Sequence, residues 1–125
     1  MSEIDPQVSK ALGNLRNANE ADSWVLMSYV KDARSLFFAA SGQGDINEIT
    51  EYLDQSKVQF ALIRRRNDEG ATKDIFVSFV GPDVGFTQRR HVSECRTEAN
   101  SILGPVDAHC NINPNDNLGK KLSQF

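Results

Sequence analysis

The sequence predicts an α/β (α+β) domain: a central mixed five-stranded sheet flanked by helices on both faces. Three observations predict it. Five short runs rich in β-branched and aromatic residues are spread along the chain. Segments with apolar residues at helical spacing stand before, between and after them, in the order α-β-β-α-β-β-α-β-α. The 125 residues are 39% hydrophobic, which suits one core and a single domain over residues 1–125.

In "DPQVSKALGNLRN", Asp5 stands as N-cap and Pro6 at the first helical position, and Val8, Leu12 and Leu15 recur at helical spacing. "SWVLMSYV" and "SLFFAA" read as two strands of a hairpin across a short polar link. The glycines of "SGQGD" break the pattern. Gly42-Gln43-Gly44 lacks the third glycine and the Lys-Ser/Thr of a phosphate loop and is followed by Asp45, so it reads as a turn. Asp45 then caps a helix whose Ile46, Ile49 and Leu53 share a face, with Glu48 at the capping-box position.

"VQFALI" and "DIFVSFVG" are two further strands, linked by the polar "RRRNDEGATK", in which Gly70 suits a positive φ. Residues 87–103, "TQRRHVSECRTEANSIL", form the third helix. Its apolar stripe is Val92, Cys95, Ala99, Ile102 and Leu103, and Gly104 and Pro105 end it. "VDAHCNI" alternates strictly, with Val106, Ala108, Cys110 and Ile112 pointing one way. A last short helix starting near Asn115 carries Leu118 and Leu122.

Composition excludes several function classes. The net charge of −3 does not suit nucleic acid or an anionic membrane, and no apolar run reaches the length of a membrane span. "MSEIDPQ" is acidic and polar, unlike a signal or transit peptide, so a cytoplasmic protein is expected. Cys95 and Cys110 match no metal or redox spacing and fall on apolar positions, so they read as reduced, buried thiols. His91 and Cys95 lie four apart on one helix, but the thiol belongs to the apolar stripe. His109 sits on the outward phase of its strand. "NINPNDN" lacks the spaced carboxylates and terminal Glu of a calcium loop, and no carboxylate pair is marked for acid–base work. No enzyme, cofactor or metal is expected.

The charge is uneven. Residues 1–63 carry five Lys/Arg against nine Asp/Glu, whereas residues 64–96 carry seven against five. The basic cluster is Arg64, Arg65, Arg66, Lys73, Arg89, Arg90 and Arg96. Arg89 and Arg90 open the third helix, where the dipole disfavours positive charge by about 0.3–1 kcal/mol each. Arg89, Arg96 and Asn100 lie along one shoulder of the apolar stripe, and Arg90, Thr97 and Ser101 point away from the core. An ordinary solvated face balanced by Glu94 and Glu98 explains this spacing as well as a docking helix for an acidic protein does.

The ordered set "SWVLMSYV", "AASGQGD", "VQFALIRR", "DIFVSFVG" and "TQRR" resembles the actin-depolymerising-factor homology (ADF-H) family, with its gelsolin-like architecture, and within it the coactosin and drebrin-type branch. The resemblance covers nearly the whole chain, most clearly Ser23 to Ile112. It implies non-catalytic actin binding in the cytoskeleton through the third helix. Arg89, Arg90, Ser93 and Arg96, together with Thr97, match that element, and Lys73 matches a filament-contacting lysine just before the fourth strand. It further implies a monomeric protein that prefers filaments over monomeric actin and modulates filament dynamics. "QRRHV" replaces the Lys-rich, Met-containing helix start of the depolymerising factors. The basic C-terminal extension of the family is missing, with Lys120 and Lys121 a loose substitute.

Two other roles fit the same fold: a regulator of branched actin like glia maturation factor, and a signalling or scaffold module without actin binding. On the actin-binding reading the wrong-sign helix start trades folding stability for complementarity with acidic actin. Arg89→Glu/Arg90→Glu is then expected to leave folding stability level or slightly higher.

Overall fold

The computed structural model describes residues 6–17, 23–30, 35–42, 46–66, 72–85, 89–104 and 106–112. Along them run α1 (Pro6–Asn17), β1 (Ser23–Val30), β2 (Ser35–Gly42), a 3-10 helix (Ile46–Tyr52), β3 (Val58–Arg66), β4 (Thr72–Val80), α2 (Val92–Leu103) and β5 (Ala108–Ile112). The expected cap at Asp45, the turn at Gly70, Pro105 and the last helix with Lys120 and Lys121 lie outside the described residues.

The strands form one sheet in the order β2-β1-β3-β4-β5. Three neighbouring pairs are antiparallel and β4–β5 is parallel, joined across α2, so the sheet is mixed as predicted. β1 explains why these strands read as almost unbroken apolar runs. Val25 and Met27 enter one core cluster while Trp24 and Leu26 enter the other, so alternate side chains fill both faces. The first cluster is covered by α1, through Val8, Leu12 and Leu15, and by α2, through Cys95, Ala99 and Leu103. Ile49 of the 3-10 helix and Leu53 just beyond it cover the second. Helical elements therefore stand on both faces, with the two α-helices sharing one of them.

The boundaries differ from expectation where backbone pairing outweighs side-chain polarity. β2 runs on through Ser41 and Gly42, because Gly42 pairs directly with Trp24. A Cβ at Gly42 would lie 2.7 Å from the indole, so only glycine lets the buried ring lie flat against that strand. β3 and β4 extend into the arginine-rich link through the pairs Arg64↔Asp74, Arg65↔Lys73 and Arg66↔Thr72.

The segment after residue 45 is a 3-10 helix, not an α-helix. Val106 precedes β5 and packs against the first cluster, away from Cys110 and Ile112 in the second. The reason is a bend at Asp107, whose N–H donates to the Asp74 carbonyl and whose carboxylate accepts from the Asp74 N–H, both at 2.8 Å. Strand alternation starts only after that bend. Both thiols are free and buried on opposite faces of the sheet, which rules out a disulfide between them.

Candidate functional site

Of the helix expected over residues 87–103, residues 87 and 88 lie outside the described residues. α2 begins at Val92 with His91 as N-cap, and His91 makes no side-chain capping bond. Arg89 is itself helical, its N–H donating to the Gly85 carbonyl at 3.0 Å, and a turn at residues 90 and 91 separates it from Val92. Arg89 and Arg90 therefore stand before the first turn of α2.

Arg89 also has partners that compensate its charge. Its Nε donates to the Val84 carbonyl at 3.1 Å, and one terminal nitrogen donates to the Gly81 and Pro82 carbonyls at 3.1 and 3.2 Å. Three carbonyl dipoles thus face one guanidinium. Hydrogen bonds to a charged group are worth about 1.5–3 kcal/mol, more than the dipole cost. These partners lie in "GPDVG", residues 81–85, upstream of the helix. Its glycine and proline content signals a turn, but only the folded loop aims three carbonyls at one point.

That loop is fixed from behind. The Gly81 N–H donates to the Lys57 carbonyl at 3.0 Å and the Asp83 N–H to the Gln55 carbonyl at 2.8 Å. A Cβ at Gly81 would overlap the Gln55 backbone. The 54–57 turn is held in its turn by buried Gln59. Its Oε1 accepts from the Asp54 N–H at 2.7 Å, and its Nε2 donates to the Ser28 hydroxyl at 2.8 Å and the Tyr52 carbonyl at 3.1 Å. Asp54 accepts from both the Ser56 hydroxyl and the Ser56 N–H, which together hold its carboxyl below the usual range. None of this network was legible in the sequence, because a glutamine inside an apolar strand carries no pattern.

Along α2 the buried stripe is Cys95, Ala99 and Leu103, with Val92 and Ile102 partly buried beside it. Arg90, Ser93 and Thr97 are exposed, and Arg96 is half-buried at the shoulder. The Thr97 hydroxyl donates to the Ser93 carbonyl at 3.0 Å, so its proton serves the helix and its lone pairs face outward. His91 lies 3.5 Å from Glu94, both exposed. Burial, then Glu98 and Glu94, push the Cys95 thiol up, which keeps it un-ionised and unsuited to nucleophilic work.

Two other members of the basic cluster have different fates. Arg64 forms a two-pronged pair with Asp74, Nε–Oδ1 at 2.9 Å and a terminal nitrogen to Oδ2 at 3.2 Å, and also donates to the Leu15 carbonyl near the end of α1. It braces the sheet against a helix C-terminus, where a cation is favourable. Lys73 shares the strand phase of Ile75 and Val77, so it belongs to the face opposite α2. It is half-buried and pairs in register with Arg65, placing two cations side by side. The structure thus places Ser93, Arg96 and Thr97 on α2, with Arg89 and Arg90 just before it, and leaves Lys73 on the other face of the sheet.

The described residues contain no cluster of His, Cys, Asp or Glu able to hold a metal, and no described helix is long and apolar enough to cross a membrane.

Residues 1–121 match the family model of cofilin/tropomyosin-type actin-binding proteins. The chain is 27% identical over 118 residues to the drebrin-like protein of Dictyostelium discoideum, covering 94% of this chain and 24% of that one. It is 30% identical over 95 residues to drebrin-like protein A of Xenopus laevis, covering 72% of this chain and 20% of the relative. The chain therefore spans about a quarter of the length of these relatives. Among solved structures, coactosin from Entamoeba histolytica superposes with a TM-score of 0.80 at 19% identity, over 99% of this chain and 94% of that one. The cofilin homology domain of a yeast actin-binding protein gives 0.78 at 13% identity, over 98% and 97%. Mouse coactosin, an actin filament binding protein, gives 0.71 at 17% identity, over 99% and 86%.

Proposed function

The chain belongs to the cofilin/tropomyosin-type actin-binding protein family, a non-catalytic family, and from that premise we propose that it binds actin filaments in preference to monomeric actin and modulates filament dynamics. The observation that carries this reading is the family match over residues 1–121. One ADF-H domain acting as a monomer in the cytoplasm, at the cytoskeleton, is the corresponding picture of the molecule.

The contact is assigned to two places. The outer face of α2 supplies Arg90, Ser93 and Thr97, flanked by Arg96 and entered through Arg89. Lys73 supplies the second. Two contacts set on opposite faces of the sheet suit two neighbouring actin subunits better than one, and this placement supports filament preference. Exposed cations facing an acidic partner set on-rate and register, and they are screened beyond about 8 Å at physiological salt.

Co-sedimentation with purified filaments tests the reading. The protein should pellet with filaments, less so with rising salt, and bind monomeric actin more weakly in an anisotropy titration. Lys73→Ala and Arg90→Glu should each reduce pelleting by about five- to thirtyfold in affinity with melting temperature retained, as rim charges of an interface do. Unchanged pelleting of both variants would overturn the assigned surface, and tighter monomer binding the filament preference.

A further inference from the structure

We propose that Arg89 is a positioning residue for the docking helix, acting through the Gly81–Val84 loop instead of touching the partner. This deepens the actin-binding reading and rests on it for the word docking. The clamp itself stands on the geometry alone.

Three observations converge. The Nε and one terminal nitrogen of Arg89 bond three main-chain carbonyls, those of Gly81, Pro82 and Val84, at 3.1–3.2 Å. A guanidinium can do this because its donors form a rigid fork, and an ammonium cannot reproduce that geometry. Second, the loop it grips cannot shift freely. Gly81 and Asp83 are tied to the Lys57 and Gln55 carbonyls, and Gly81 lies too close to Gln55 for any side chain. Third, α2 has no side-chain N-cap: His91 makes no capping bond, and the first α-helical bond, from the Cys95 N–H, falls on its carbonyl at 3.1 Å. A helix that lacks a capping side chain is free to fray at this end. Here Arg89, bonded to the Gly85 carbonyl through its N–H and clamped to the loop through its side chain, supplies the fixed point from which α2 departs.

The chain of contacts runs from buried Gln59 through the 54–57 turn to the 81–84 loop and then to Arg89. Its effect is to orient Arg90 and Ser93, which follow within four residues.

Charge-conserving substitution separates holding from touching. Filament pelleting over a salt series, with amide hydrogen exchange on the free protein, should be measured for Arg89→Lys, Arg89→Gln and Arg90→Gln. Exchange of the Val84, Arg89 and Cys95 amides should rise about tenfold or more in both Arg89 variants. Arg89→Lys should weaken pelleting nearly as much as Arg89→Gln although the charge is kept. The salt dependence should stay parallel to wild type in Arg89→Lys and flatten in Arg90→Gln. Wild-type pelleting by Arg89→Lys, together with wild-type exchange, would make Arg89 an ordinary docking cation and overturn the proposal. If the wild-type protein itself did not pellet, the actin reading would fall, while unchanged exchange in the Arg89 variants would still refute the clamp.

Discussion

Trp24 and Gly42 show how one residue's identity depends on another's bulk. The indole is buried and lies directly across from Gly42, where a Cβ would stand 2.7 Å from it. Gly42→Ala should lower stability by about 1–3 kcal/mol, because the new Cβ pushes against a buried ring. Chemical denaturation should show this as a lower midpoint with an unchanged slope, and an unshifted midpoint would mean that the strand end yields.

Cys95 makes a pH prediction at the same scale. Burial raises its thiol pKa in the folded state. Its stabilising contribution is therefore complete below the unfolded thiol value of about 8.5 and is lost as pH rises through the folded value. Cys95→Ala should be less stable at neutral pH, by about 1–2 kcal/mol for the lost volume, but the gap to wild type should narrow above about pH 9. A gap that stays constant from pH 7 to 10 would show that the thiol does not ionise differently in the two states.

At the scale of elements, α2 is defined more by its ends than by its propensity. Its apolar stripe could continue a helix in either direction. Its C-terminus is set by Gly104, at φ 83° and ψ −163°, whose N–H donates to the Asn100 carbonyl at 3.0 Å. That backbone region is open to glycine almost alone, so Gly104→Ala should cost about 1–3 kcal/mol. It should also loosen the entry into β5, which pairs in parallel with β4. Faster amide exchange at residues 100–104 and 108–112 checks this, and a variant as stable as wild type would refute it.

The clamped start also revises an expectation for charge reversal. Arg89→Glu sets a carboxylate against three carbonyls and should destabilise the fold. The double reversal therefore confounds binding with folding, and the two arginines are better reversed one at a time.

At the scale of the whole molecule, the two assigned contacts lie on opposite faces of the sheet, and this makes a quantitative statement. If Lys73 and the face of α2 meet different actin subunits, the losses from Lys73→Ala and Arg90→Glu should add in the double variant, within about 0.3–0.5 kcal/mol. A double variant no weaker than the worse single one would place both side chains in one coupled contact or leave one of them outside it. The opposed placement of Cys95 and Cys110 acts at this scale too, since the full thickness of the sheet keeps the two thiols from pairing.

The residues by themselves determined the order of the described elements, the mixed sheet and the buried stripe of α2. Those properties follow from local periodicity: alternating or continuous apolar strands, a stripe at helical spacing, glycine at a helix end. The family resemblance likewise rests on short ordered motifs. Only the tertiary structure decided which arginines are structural. Arg64, Arg89 and Arg90 look alike in sequence, yet Arg64 braces Asp74 and α1, and Arg89 grips the 81–84 loop. The buried Gln59 network and the need for glycine at positions 42 and 81 were equally invisible, because each depends on what another segment brings within contact distance. A charge's role is fixed by its partners, and those partners are residues far away in the chain or main-chain carbonyls, which have no letter in the sequence.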